Sequence, residues 1–499
     1  MQSYVESNND AMSKNQTNIL YILNDHQAYY GHSQVKRPVF DKLAGEGILF
    51  ENAYTACPLC GPARRSMLTG LYPHNHGEYQ NDDNHPYDKD LYLDIMAGSN
   101  YEQYYFGKWH AGTGDALEHN CTGFNYPSYN NPYTKPEYKA YLKELNLPEP
   151  EVFVEHNFWD YPNMAGKIIK QDGDWCNEHA SGMMVTPKET HESFFLAYLA
   201  KKKLKELSEI KGSGPFSMRV DFWGPHQPYF PTREFAAMYN PNDINLPESL
   251  RENVYTNNKP EIYQVEHNKG LHEDGRLIYP SALEDSQWRQ ILARCYAQIT
   301  QVDAAAGIIL DALREYGFEE NTLVILSTDH GDAVACHGGH FDKASYMPDE
   351  LIHIPMAIRC PGVIPSGQTS KHFVSNMDIG ATILDAADLK YPNPVNGRSI
   401  LEINKDSSVP WRDFIVCETH GHWGNHIGRA LITDKYKFIF NENQINELYD
   451  RKADPSELNN LAVKEDFQDI CCQMLNWLKE WASETNDFKL LTLLAEYQK

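Results

Sequence analysis

No apolar run in this sequence is long enough to span a bilayer, and the longest, such as Leu323 to Leu326, have the length of buried strands. No membrane association is therefore expected. Positive charge is also scarce: lysine and arginine total 44 against 69 aspartates and glutamates, a net charge of −25. That balance argues against nucleic acid as a partner, because phosphate binding needs a basic footprint. It also argues against long-range steering of a polyanion. A small or end-bound anionic substrate held by a few local cations remains compatible, and the acidity serves solubility in any case. The ten cysteines, at 57, 60, 121, 176, 295, 336, 360, 417, 471 and 472, follow no compact disulfide pattern. Cys57 and Cys60 form a CxxC pair, but no second pair completes a zinc set. Residues 1–16 are a polar leader without the apolar segment of a secretory signal. As it reads, the chain is expected in the cytoplasm, with the periplasm or exterior as the alternative for a chain whose signal has been removed. There is no internal repeat and no low-complexity tract.

At 499 residues, with 41% hydrophobic and 23% charged positions, the chain can bury a large core and exceeds the usual size of one domain. After the leader we expect a catalytic domain over 17–392 and a smaller α+β unit over 393–499, joined near the linker-like Tyr391-Pro-Asn-Pro394. The organisation of the larger part is repetitive in kind. Asn18 to Leu23 is an apolar run ending in Asn24-Asp25-His26. Tyr104 to Phe106 leads into Gly107-Lys108-Trp109-His110, Phe216 to Phe222 into Trp223-Gly-Pro-His226, and Leu323 to Ser327 into Thr328-Asp329-His330-Gly331. Each reads as a buried strand that delivers ionisable groups at its carboxyl end, where open α/β sheets bind ligands. Helices expected over 192–210 and 287–316 complete an α/β pattern. The segment 131–187, rich in aromatics, Pro, Asn and Lys, reads as a long irregular insertion and a pocket wall. Short strands near 414–416, 429–433 and 436–440, closed by a helix near 467–482, suggest a small antiparallel sheet.

The sharpest motif is Cys60-Gly-Pro-Ala-Arg64-Arg-Ser-Met67-Leu-Thr-Gly70. Pro62 suits the first turn of a helix, and 64–71 has helical composition. Cys60 would then stand at a helix N-terminus, where free N–H groups and the dipole attract an anion. The bland alternative is a buried structural cysteine beside a helix start. Asp25, Asp329 and His330 form an acidic set at strand ends, of the kind that holds a hard divalent cation. Singly, such acids are more often helix caps or turn residues. Lys108 and His110, His226 in Pro225-His-Gln-Pro228, and Lys343 are further ionisable candidates, though singly each is more often an ordinary surface or loop residue.

In its Cys-x-Pro-x-Arg and Leu-Thr-Gly elements the motif resembles the signature of the formylglycine-dependent sulfatases. The resemblance extends over Gly107-Lys-Trp-His110, Pro225-His-x-Pro228 and Asn446-Glu-Leu-Tyr-Asp450, from residue 18 to about 462. It implies an alkaline phosphatase-like α/β fold, a mixed central sheet flanked by helices with a smaller C-terminal antiparallel sheet domain. It implies further that Cys60 is oxidised to formylglycine by a maturation enzyme, and that Asp25, Asp329, His330 and the residue at 60 bind Ca²⁺, with Mg²⁺ or Mn²⁺ as alternatives. Where many relatives carry Asp-Asp or Asp-Gln, this chain has Asp25-His26, which leaves open whether His26 or Asn24 touches the metal. The implied roles are nucleophile for residue 60, leaving-group acid for His226 or Lys343, and base for His110, with Lys108 and Arg64 steadying the nucleophile. The expected substrate is a sulfate ester, on a carbohydrate rather than an aryl or choline alcohol. A phosphonate or phosphate ester hydrolase of the same superfamily is the rival, and a silent sulfated-glycan binder the rival of another class. The 31 tyrosines and 9 tryptophans include clusters at Phe158-Trp-Asp-Tyr161 and His420 to His426. Most are expected in the core, with 420–426 on a pocket rim. The sequence fixes no oligomeric state.

Overall fold

The computed structural model describes residues 16–29, 34–81, 83–126, 131–157, 164–171, 180–210, 212, 214–267, 283–405, 409–422 and 424–497. The cluster 158–161, Cys176 and Trp423 lie outside them. Fifteen strands are named here in chain order. The first four are β1 (Asn18–Asp25), β2 (Ile48–Tyr54), β3 (Glu102–Lys108) and β4 (Thr122–Tyr126); then come β5 (Glu151–Asn157), β6 (Ile168–Lys170), β7 (Ala180–Met184) and β8 (Phe216–Pro225). The remainder are β9 (Thr322–Thr328), β10 (Met356–Arg359), β11 (Gln368–Ser375), β12 (Ile415–Gly421), β13 (Asn425–Ile432), β14 (Tyr436–Asn441) and β15 (Glu447–Asp450).

Eight of these form one mixed sheet in the order β11-β2-β10-β9-β1-β8-β3-β4. β1 runs parallel to both β8 and β9, β3 runs parallel to β8 and β4, and only β10 runs against its neighbours. The apolar runs are uninterrupted because both faces of the sheet are covered. Along β1, Leu20 and Ile22 enter one core with the helices Glu192–Glu209 and Asp285–Glu315, while Ile19, Tyr21 and Leu23 enter the other. Val324 and Leu326 of β9 divide from Leu323 and Ile325 in the same way. Since β1, β2, β3, β8 and β9 share a direction, their carboxyl ends lie along one edge. The chemistry-bearing loops leave from that edge.

β12, β13, β14 and β15 form a second, antiparallel sheet in sequence order. One face packs on the helices Gln468–Thr485 and Phe488–Tyr497 through Leu431, Phe438, Leu478 and Leu490; the other packs on Tyr54, Leu351 and Phe373 of the large unit. The segment 131–187 departs from expectation. Its described residues hold the helix Pro136–Glu144 and a third sheet, β6-β5-β7. Val152 and Val154 alternate inward from half-exposed neighbours, while Tyr138 and Tyr141 bury their rings against Phe195. Among the described aromatics of the segment, Tyr138 and Tyr141 join the helix Pro136–Glu144 to the core. All nine described cysteines are free, as their spacing suggested, and no helix among the described residues is long and apolar enough to cross a membrane.

Candidate active site

Cys60 is the first residue of the helix Cys60–Thr69, with extended Leu59 as its cap residue. The helix stops at Gly70, whose left-handed φ of 68° suits glycine, so the Thr-Gly ending of the motif is a helix terminator. Arg64 follows Cys60 by one turn and therefore faces the same side. Gly107, at φ 116°, lets β3 approach β8: a Cβ there would lie 2.0 Å from the Asp221 carbonyl oxygen.

The Cys60 thiol is fully buried. Its Sγ lies 3.0 Å from His330 Nε2 and 3.7 Å from Asp25 Oδ1. Burial pushes the thiol up to about 12, although Lys108 and Lys343 pull the other way. The ligand atoms of Asp25, Cys60, Asp329 and His330 all lie within 4.8 Å of one another. His330 Nδ1 donates to the Gly331 carbonyl oxygen at 2.8 Å, which leaves the Nε2 lone pair facing the cluster. Two carboxylates and one such imidazole suit a divalent cation.

Arg64 is fully buried and ties the carboxylates together. Its Nε donates to Asp329 Oδ2 at 2.9 Å, its Nη1 to Asp221 Oδ2 at 2.9 Å and to the Lys108 carbonyl at 3.0 Å, and its Nη2 lies 3.5 Å from Asp25 Oδ2. Lys108 Nζ contacts Asp25 Oδ2. Burial alone would raise the Asp25 carboxyl, but Lys108 and Arg64 hold it below its usual value. His226 Nδ1 donates to its neighbour's carbonyl at 2.7 Å, and Nε2 accepts from Lys343 Nζ at 3.1 Å. Burial, with Lys343 and Lys108 beside it, keeps that ring well below the ordinary histidine value. His110 is held low by burial and by Lys108, Arg64 and Lys343. Both rings are therefore neutral at pH 7.

The six cationic or nucleophilic candidates and the three acidic or imidazole ones are thus all buried and interact around the Cys60 helix start. Asn24 Nδ2 donates to Gln27 Oε1 while its Oδ1 is buried without a hydrogen bond, and the His26 ring groups with His226 and Asp342, its backbone N–H reaching Asp329 Oδ1 at 2.9 Å. Residues 420, 425 and 426, with Tyr79 and Gln80, line an 810 Å³ cavity whose lining includes none of the nine candidates above. Sequence reasoning missed two acids. Asp221 accepts from Arg64, from Arg219 and from the Tyr105 hydroxyl. The signal was an Arg-x-Asp pair, same face by strand period, inside an otherwise apolar run. Asp332 is buried beside the Tyr229 hydroxyl, and burial raises it to about 7. It stands three residues beyond Asp329, where a turn acid was the ordinary assumption.

The family model described as Sulfatase matches residues 17–389, and one described as N-sulphoglucosamine sulphohydrolase, C-terminal, matches residues 336–484. An arylsulfatase of Clostridium perfringens is 28% identical over 447 residues, covering 88% of each chain. An N-acetylglucosamine-6-O-sulfatase of Bacteroides thetaiotaomicron is 23% identical over 530 residues, covering 94% of this chain and 87% of its own. Among solved structures, the phosphonate monoester hydrolase of Agrobacterium radiobacter shares the fold with a TM-score of 0.74 at 22% identity, covering 94% of this chain and 96% of that one. With three quarters of its length inside the family model, and its nucleophile motif, acids and cations gathered at one sheet edge, the chain belongs to the sulfatases, hydrolases of sulfate esters.

Proposed function

We propose that the chain hydrolyses a sulfate ester on a small or chain-end carbohydrate, with residue 60 acting as formylglycine and a divalent cation held by Asp25, Asp329, His330 and residue 60. The observation that carries this reading is the buried Cys60 Sγ, 3.0 Å from an imidazole nitrogen and within 4.8 Å of two carboxylates. In this arrangement Sγ stands in for the oxygens of a hydrated aldehyde. A thiol at about 12 would be a poor nucleophile at neutral pH. The hydrated aldehyde supplies an attacking hydroxyl and, by collapsing back to the carbonyl, a route for sulfate to leave. The cation would supply charge for a sulfate oxygen and for the nucleophile. Its proposed identity is Ca²⁺, with Mg²⁺ or Mn²⁺ as alternatives.

The chain's own residues do the rest. Lys108 and Lys343 offer ammonium groups to the anionic ester in a desolvated pocket. His226, its Nε2 held at 3.1 Å from Lys343, is placed to pass a proton from the ammonium to the leaving oxygen. Neutral His110 is the base that takes the proton of the second hydroxyl. Arg64 is a positioning residue: its three contacts fix Asp25, Asp221 and Asp329. Support for a carbohydrate comes from the N-acetylglucosamine in the name of the Bacteroides relative. A maturation enzyme that oxidises Cys60 is the implied partner.

The test pairs peptide mass spectrometry over residue 60 with a panel of sulfated saccharides, aryl and choline sulfates and an aryl phosphonate. Cys60→Ala should lower kcat/KM by about 10⁴-fold or more. Full activity in that variant would sink the mechanism. A phosphonate turned over faster than every sulfate would favour the rival hydrolase, to which the solved structure of that class lends the fold alone.

A further inference from the structure

Beyond the four-residue cluster, a second group of ligating side chains adjoins the His330 ring, which the His26 ring approaches to 4.7 Å. His26, His226 and Asp342 bring a nitrogen, a nitrogen and a carboxylate oxygen within 4.8 Å of one another, all buried. The proposed chemistry gives the His26 ring no role, and its nitrogens fall outside the four-residue cluster. The residue is 1% exposed, and both ring nitrogens are without a hydrogen bond. Its Nε2 nonetheless points into a basin of acids, 3.5 Å from Asp342 Oδ1 and 3.7 Å from Asp332 Oδ1.

Those distances are informative. An N–H···O hydrogen bond closes to about 2.9 Å. Two ligands on one tetrahedral cation, each bound at about 2.1 Å, stand about 3.4 Å apart. The spacing is that of ligands around a shared ion, not of a hydrogen-bonded pair. The fold holds the ring there. His26 has a left-handed φ of 66°, its backbone N–H is fixed to Asp329 Oδ1, and its ring lies between those of His226 and His330 at 4.8 and 4.7 Å. A positive group already leans on the same seat: Lys343 Nζ is 3.1 Å from both His226 Nε2 and Asp342 Oδ1.

We propose that His26, His226 and Asp342, with Asp332 beside them, form a second divalent-cation seat that a transition metal of the zinc or cobalt class and the Lys343 ammonium share by competition. Two imidazoles and carboxylate oxygens select such an ion over Ca²⁺ or Mg²⁺. The seat adjoins the proposed nucleophile metal, as in two-cation sites where the second ion takes the leaving oxygen. Occupancy would therefore set whether that oxygen meets a metal or a lysine proton.

The test reads metal, not turnover, so its failure is separable from failure of the sulfatase reading. Full-length protein without a histidine tag is stripped, titrated with Zn²⁺ and with Co²⁺, gel-filtered, and its metal content and Co²⁺ visible spectrum recorded. The wild type should bind two equivalents, the second more weakly. Lys343→Ala should bind that second equivalent at least tenfold more tightly, and His26→Ala should bind one. Cys60→Ala, which alters only the first cluster, should keep the second equivalent. A single equivalent in both the wild type and Lys343→Ala, or a second equivalent that His26→Ala leaves unchanged, would overturn the proposal. A folded-state check by circular dichroism guards the variants, and His26→Gln provides a second, near-isosteric version of the same arm.

Discussion

Lys343 and Lys437 are both buried, and both lie against carboxylates beside the long loop that follows β9, but their surroundings differ. Lys437, on β14, donates to the Met347 carbonyl at 3.0 Å, lies 3.4 Å from Asp349 Oδ1 and contacts Glu457 Oε1. The network continues through Lys259 to Glu252, and through Glu252 to His337 Nδ1 at 2.8 Å and on to Glu350. Among its described charged atoms none is orphaned. Around Lys343, by contrast, His26 keeps two nitrogens without hydrogen bonds, and Arg64 Nη2 has only a 3.5 Å approach to Asp25. A buried charge network that has spent its capacity on itself is cement between the C-terminal sheet and the large unit. One with capacity to spare is shaped for something that is not protein.

The comparison can be broken most directly by removing each lysine. Lys343→Ala, assayed with one metal equivalent, should lower kcat/KM on a sulfate ester by about 10³-fold, the cost of losing a preorganised cation at the reacting ester. Its unfolding free energy should fall by less than that of the Lys437 variant, because the ammonium meets Asp342 at 3.1 Å where Lys437 meets both Asp349 and Glu457. Steady-state kinetics beside urea unfolding gives both numbers. A variant that loses stability in place of rate would place Lys343 in the structural class.

Lys437→Met should behave in the reverse way. It removes the ammonium shared by Asp349 and Glu457, so about 3 kcal/mol of stability should go. Activity of the folded fraction should stay within about threefold. Loss of kcat at unchanged stability would show that the network reaches the pocket through the 329–346 loop.

How the sequence maps onto these two regions is uneven. The strand ends were legible because β1 and β9 are covered on both faces, so their apolar runs have no alternation to blur, and Asp25 and Asp329 stand where the runs stop. The helix at Cys60 was legible from Pro62 and the terminating Gly70. Asp221 and the Lys437 network were not, since the contacts of Asp221 with Arg64 and of Lys437 with its acids join residues tens or hundreds of positions apart. β15, four residues long, is too short to carry a period. The sheet in 131–187 was hidden because its apolar stripe is two valines wide and its aromatics signal core and pocket alike. The grouping of the His26 ring with His226 and Asp342 depends on a left-handed backbone that local sequence does not dictate.

The smallest expected effect sharpens the same contrast through pH. Burial and Lys259 oppose a charge on His337, but Glu350 and the hydrogen bond to Glu252 win and raise it to about 9. A histidine raised above its unfolded value of about 6.5 adds stability that is fully present below that value and is lost as pH climbs through the folded one. His337→Gln should therefore be less stable than the parent at pH 6, and the gap should narrow by about 1 kcal/mol or more between pH 6.5 and pH 9.5. Urea unfolding of both proteins across that range measures it. A gap that widens with pH would mean the ring is neutral in the folded protein and that the network's negative charges answer to the lysines alone.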